Sequence, residues 1–315
     1  MVCNAQPLQG HIGQNYALSL SPLFGLVYGQ AEELVYPVDT KAPLLSELLW
    51  DMKPVFYYGL LLDFSQINPR NRWGFFSNVS LKMGIPGPSG KQENRDWQST
   101  ENANLTDFSR HDNHTRELFL LDFRCGLSFP VNRFLIKPFF HVSFKRLSFY
   151  GTDGYGIYAR LIQRGIYYPI DDDPRLEQFS GKVISYTQEW IGVAPGVSVT
   201  FFWLHNFFTE LSFMVSPLVY CSALDEHKEG PHMPRGRQFR DYMLGGIWIE
   251  PALRLSYAVK DWLTVSWGIS WRHISGTKGN SYFREPIGTG TYRRAGQAGA
   301  GLSMLTTGLQ FKVRL

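Results

Sequence analysis

From Trp190 to Thr209 the chain carries no Asp, Glu, Lys or Arg, a stretch long enough to cross a bilayer as a helix. Its interior points elsewhere. Ile191, Val193, Pro195, Val197, Val199 and Phe201 alternate with Gly192, Ala194, Gly196, Ser198 and Thr200. A repeat of two puts bulky apolar groups on one face of an extended strand and small or polar groups on the other. Pro195 and the two glycines would also weaken a helix. Elsewhere the second face is charged. Leu121, Phe123, Cys125 and Leu127 oppose Asp122, Arg124 and Ser128; Trp267, Ile269 and Trp271 oppose Ser266, Ser270 and Arg272; Leu309, Phe311 and Val313 oppose Gln310, Lys312 and Arg314.

Two architectures accept such strands. A soluble sandwich buries the apolar face; a transmembrane barrel turns it to lipid and keeps the polar face in the lumen. The strands are long. Tight gaps at 68–70, 130–132, 204–206 and 260–261 alternate with gaps of up to tens of residues, and the chain ends on an alternating strand able to pair with the first. These features favour the barrel, whose closure leaves no unpaired edge in lipid. The expected fold is all-β: a ten-stranded antiparallel transmembrane β-barrel with long extracellular loops. Its strands are expected near 16–28, 44–66, 72–86, 114–129, 133–150, 183–203, 207–223, 241–259, 262–277 and 298–315, with a bulge at Pro54.

Residues 16–315 read as a single barrel domain. Residues 1–15 form an N-terminal segment in which Cys3-Asn4-Ala5 fits either the small-residue end of an export signal or an ordinary terminus. A net charge of +4 gives no reason to expect nucleic acid. The three cysteines, Cys3, Cys125 and Cys221, form neither a disulfide framework nor a metal pattern.

Long gaps follow the odd-numbered strands, so their ends share one rim. Asn94 and Asp96 fall in the loop after the third strand, Asp225 and His227 just after the seventh, nearly opposite in a ring of ten. Residues two apart on an extended segment face the same way. One histidine is too few for a zinc site, and no Ser or Cys is marked as a nucleophile. An activated water remains: His227 as base, Asp225 as its orienter, and the facing pair holding water or oxyanion. Taken alone, Asp225-Glu226-His227 is more often a wet surface loop than a site, so the structural context decides.

The chain resembles the omptins, outer-membrane aspartic-type endopeptidases. The resemblance rests on Asp96-Trp97 followed by Thr106 to His111, and on Ser222-Ala223-Leu224-Asp225-Glu226-His227. Weaker echoes are Glu33 to Tyr36, Leu45 to Trp50 and Lys278-Gly279-Asn280. It implies surface proteolysis of peptides or proteins by water attack, in a monomer in the cell outer membrane, with no metal or organic cofactor. An Asp–His pair (Asp225, His227) would face an acid pair represented by Asp96 and Asn94. Asn94 departs from the family's acid: it can hydrogen-bond but adds no charge to raise the pKa of His227.

In the family two acids bind a basic side chain of the substrate. Glu33 matches the first, whereas the second position is Ala223, which implies weaker or relaxed basic preference. Asp107 matches a neighbouring subsite, and Ser109 and His111 match groove positions that otherwise serve loop hydrogen bonding. Omptins also depend on an outer-leaflet glycolipid. Arg146 and Arg240 fall near its basic contacts, while Glu189 stands where the family has an arginine and opposes phosphate. The departures at Asn94 and Ala223 leave an alternative: a non-catalytic omptin-like surface barrel acting as adhesin or receptor. A small channel is a further reading of a ten-stranded barrel.

Overall fold

A computed structural model describes residues 16–38, 41–68, 73–204, 206–227, 237–284 and 291–315. The expected signal remnant at 1–15 and the turn residues Pro69, Arg70 and His205 lie outside the described residues. The described chain forms β1 (Tyr16–Val35), β2 (Ser46–Asn68), β3 (Trp73–Gly84), β4 (Gly87–Asp96), β5 (Asp107–Val131), β6 (Phe134–Tyr158), β7 (Leu161–Gln163) and β8 (Ile166–Tyr167). It continues through β9 (Arg175–Phe202), β10 (Phe207–Ser216), β11 (Val219–His227), β12 (Arg237–Gly245), β13 (Ile247–Lys260), β14 (Leu263–Arg284) and β15 (Thr291–Arg314).

Antiparallel pairing runs from β1 through β2, β3 with β4, β5, β6, β9, β10 with β11, β13 with β12, β14 and β15, and β15 pairs back to β1. The result is a ten-walled ring. Three walls are broken where the ladder cannot continue: at Ile85-Pro86, at Pro217-Leu218 and at Gly246. Proline has no N–H to donate, and Gly245 and Gly246 adopt φ of +107° and +80°, favourable only for glycine. The expected irregularity at Pro54 is present. Val27 faces Val55 and Gly29 faces Met52, so Tyr28 opposes both Lys53 and Pro54. At the β5–β6 turn Val131 pairs with Phe134, and Asn132 takes the left-handed conformation its short polar side chain tolerates.

The alternation settles which face is which. Leu60, Phe123, Phe140, Val193, Phe213 and Trp267 point outward, while Asp122, His141, Lys145, Glu250 and Arg272 are buried in the lumen. A soluble sandwich would do the reverse. Arg272 bonds Glu250 and lies 3.4 Å from Asp122; Lys82 reaches Asp122 at 3.7 Å, and Arg124 reaches Glu250 at 3.7 Å. Lys145 caps Trp248, 4.4 Å from its ring centre. Buried charges survive only when paired in this way. Toward the rim that carries the long strands, Trp50 stacks on Tyr186 and Phe149 at 5.6 and 6.0 Å and joins Met52, Leu147 and Trp190 in a dense apolar layer.

Several strands run further than the sequence pattern marks. β5 begins at Asp107 and not near 114, β9 at Arg175 and not near 183, and β15 at Thr291 and not near 298. Asn94 and Asp96 lie on β4, not in a loop, because β4 pairs with both β2 and β5. Above the apolar belt, whose upper edge runs through Tyr28, Phe56, Ile85, Ile191, Leu218 and Leu244, the outer face meets water. Polar residues such as Glu93, Arg95 and Arg110 stand there in ion pairs, so hydrophobic periodicity no longer reports the strand.

Val197 points outward midway between Ile191 and Trp203 on the β9 wall. A Val197→Arg substitution is expected to destabilise the barrel by about 2–4 kcal/mol, the cost of a cation facing lipid at mid-depth. Urea unfolding in lipid vesicles measures it. An unchanged midpoint would show that this face does not meet hydrocarbon.

Candidate active site

The strand extensions carry two polar couples above the belt. On β11, Asp225 is buried and His227 follows two residues later on the same face. Their side chains meet, with His227 Nε2 2.6 Å from Asp225 Oδ2. On β4, Asn94 and Asp96 share a face in the same way. Asn94 Nδ2 donates to Asp96 Oδ2 at 3.3 Å, and Ser46 on β2 donates to Asn94 Oδ1 at 3.1 Å. Glu93 and Arg95, in the intervening register, pair with each other on the outer wall at 2.9 Å. Both couples line one cavity of about 420 Å³ at the rim opposite the tight turns.

The same cavity is bounded by Glu33 from β1, Asp241, Phe239 and Arg237 from β12, Ser281 from β14, Arg294 from β15, and Gln98. Asp107 stands behind Gln98 and accepts its amide at 2.6 Å. Ala223 is buried on β11, and its ladder partner on β12 is Asp241. The register thus places a carboxylate beside the position where the sequence shows none. Asp241 escapes motif reading because it belongs to a different strand. The available signal was a charge at the outer end of an inward-facing alternation with Met243. His111 and Ser109 are buried on β5 and do not line this cavity, although Ser109 is the ladder partner of Asn94; His111 contacts the Asp153 carbonyl and packs edge-on against Phe179.

Electrostatics set the protonation of the groove. Burial pushes the Asp96 carboxyl up, opposed by hydrogen bonds from Ser46, Asn94 and Gln98 and by the His227 charge. Burial also raises Asp107 to about 7 and Asp241 to about 6. Glu33 is raised well above the carboxylate range by burial and then by Asp225, Asp241 and Asp96. Burial works against the imidazolium of His227. The charge and hydrogen bond of Asp225, together with the charge of Asp96, outweigh it and leave its pKa raised. Glu33 Oε2, Asp225 Oδ1 and Asp241 Oδ1 are buried without a hydrogen-bond partner among the described residues. Such a cluster fits a cationic guest better than an anion. Among the described residues no group of three His, Cys, Asp or Glu side chains is placed to hold a metal ion.

The two outer-wall arginines do not form one cluster. Arg146 is bridged to Glu117 at 3.0 Å and to Glu189 at 2.9 Å. Arg240 lies on β12, separated from Arg146 on β6 by β9 and β11.

Residues 14–313 match the sequence model of the Omptin family. Among solved structures, the outer membrane protease OmpT from Escherichia coli superposes with a TM-score of 0.80 at 18% identity, covering 95% of this chain and 97% of that one. The toluene transporter TodX from P. putida aligns at a TM-score of 0.33 and 10% identity over 99% and 93% of the two chains, a likeness too low to carry an argument. No curated protein sequence matches the chain.

Since the folded pKa of His227 lies above its ordinary 6.5, the pair stabilises the fold fully below the unfolded pKa. That contribution is lost as pH rises through the folded pKa. Asp225→Asn should lower the His227 titration midpoint and flatten this dependence. Histidine NMR titration in micelles reads the shift; a midpoint that does not move would remove the electrostatic coupling of the pair.

Proposed function

The chain belongs to the omptin family of outer-membrane proteases, and we propose that its rim groove is an endopeptidase site hydrolysing peptide bonds at the cell surface through an activated water. The observation that carries this reading is the contact between Asp225 and His227 in the cavity they share with Asn94 and Asp96. With Nε2–H donating to Asp225, the lone pair of His227 is on Nδ1. Nδ1 takes a proton from a water, and the resulting hydroxide attacks the scissile carbonyl carbon. The imidazolium, stabilised by Asp225, then returns that proton to the leaving amine. Asp96, held by Asn94, orients the water, and Asn94 supplies an amide dipole where the family has a second charge.

The basic subsite is rebuilt across the ladder. Glu33 supplies one carboxylate and Asp241 the second, from the strand paired with Ala223. This reverses the expectation of a singly charged pocket. An entering Lys or Arg would meet the unpartnered Glu33 Oε2 and Asp241 Oδ1, and its charge would draw both groups back toward the ionised form. On the outer wall, Arg146 is already neutralised by Glu117 and Glu189, so an anionic outer-leaflet glycolipid would be met chiefly by Arg240.

With refolded protein in lipid, His227→Ala should lower peptide cleavage by about 10²–10⁴-fold, the usual contribution of a general base; full turnover in that variant would overturn the mechanism and favour a non-catalytic receptor or adhesin. Asn94→Asp should raise turnover and move the acid limb of the pH profile upward, because a second carboxylate beside Asp96 further favours imidazolium. A fall in turnover would show a site built around the amide. Asp241→Asn should reduce kcat/KM for peptides with Arg or Lys before the scissile bond by about tenfold, as expected when a desolvated charge pair loses its anion. Equal kcat/KM would return the subsite to Glu33 alone.

A further inference from the structure

One wall of the groove has the opposite charge to its floor. Arg237 and Arg294 line the same cavity as Glu33, Asp96, Asp225 and Asp241. Neither guanidinium is engaged by a carboxylate among the described residues. Arg237 lies 5.8 Å from the ring centre of Phe283, and Arg294 lies 5.9 Å from Phe239 and 5.5 Å from Phe283. Phe239 and Phe283 pack against each other at 5.1 Å and are ladder partners on β12 and β14. The two cations therefore lie within cation–π reach of one aromatic shelf, the Phe239–Phe283 pair.

Register places the shelf directly above the acidic floor. Asp241 pairs with Ser281, and Ser281 pairs with Arg294. One rung further out, Phe239 pairs with Phe283, and Arg237 then faces His227. Arg294 starts level with Asp241 yet extends toward the phenylalanines and not toward the carboxylates. Had the arginines served to neutralise the buried acids, Asp241 and Glu33 would offer them unpartnered oxygens. The floor is left open to a cation and the shelf to an anion, within one cavity.

We propose that Arg237 and Arg294 form a second specificity subsite that takes an acidic side chain of the substrate, so that the preferred peptide is dipolar: a basic residue in the Glu33–Asp241 pocket and an Asp or Glu a few positions from the scissile bond. The inference rests on the groove being a peptide site, as proposed above, but not on its catalytic step. Planar guanidiniums suit a carboxylate because they can present two parallel N–H groups to its two oxygens. Both arginines are exposed, so the ion pair they would form with a substrate carboxylate is of the modest, salt-screened kind.

The test uses fluorescein-labelled peptides carrying one Arg, in which Glu or Gln is placed in turn at each position on either side of it. Binding is read by anisotropy to full-length His227→Ala protein in lipid, and cleavage is read with the wild type. The expected result is a Glu-over-Gln preference of about five-fold at one or two positions, the upper range for a single accessible ion pair. It should fall to near one in Arg294→Gln and in Arg237→Gln, and weaken as salt is raised. Arg294→Lys should restore only part of it, since an ammonium keeps the charge but not the fork. Equal affinity for Glu and Gln peptides at every position, or a preference that survives both Gln substitutions, would overturn the subsite. A Glu preference in binding without cleavage by the wild type would support the subsite while removing the protease reading.

Discussion

Lipid offers no partner to a backbone N–H or C=O, so every strand that crosses it must be paired on both edges. For this chain the requirement is met by β15 returning to β1, from Ser19 facing Arg314 up to Val35 facing Ala298. Closure turns the apolar face outward and forces the charged face inward. There Asp122, Glu250, Arg272, Lys82 and Arg124 can persist only as a mutually paired layer. The site depends on the same closure, because it brings the β4 and β11 walls to face one cavity.

The strands do not stop where lipid stops. β5, β6, β9, β14 and β15 each run for more than twenty residues, and the outer ends of β14 and β15 line the groove together with β1, β2, β4, β11 and β12. Chemistry that needs a base, its orienter and a held water within hydrogen-bond reach gains from such support. Burial then tunes the groups: it raises Glu33, Asp96, Asp107 and Asp241, while Asp225 keeps His227 above its ordinary range. The outcome is a groove that is acidic at its floor and basic along one wall.

The lipid-embedded part was legible in residue order because its two faces differ sharply. Leu121 and Phe123 against Asp122 and Arg124 can only be read one way once the strand is long and the turns are short. The rim was less legible. Glu93, Arg95 and Arg110 are polar although they face outward, so the alternation that marked β3 disappears along β4 and the strand reads as a loop. The local couples Asn94 with Asp96 and Asp225 with His227 were visible because two-residue spacing fixes a shared face without knowledge of any partner strand.

Sequence by itself determined the alternation, the number of walls, the end at which the long segments gather and the pairs that share a face, all consequences of a backbone whose side chains change sides at every residue. Only the tertiary structure decided what lies beside what. Asp241 is 18 residues from Ala223 in the chain yet directly across the ladder from it, and Arg294 reaches the rings of Phe239 and Phe283 from another wall. Such neighbours follow from cross-strand register, which is set by bulges, turn lengths and the closure of the ring acting together, and no local stretch of residues contains it.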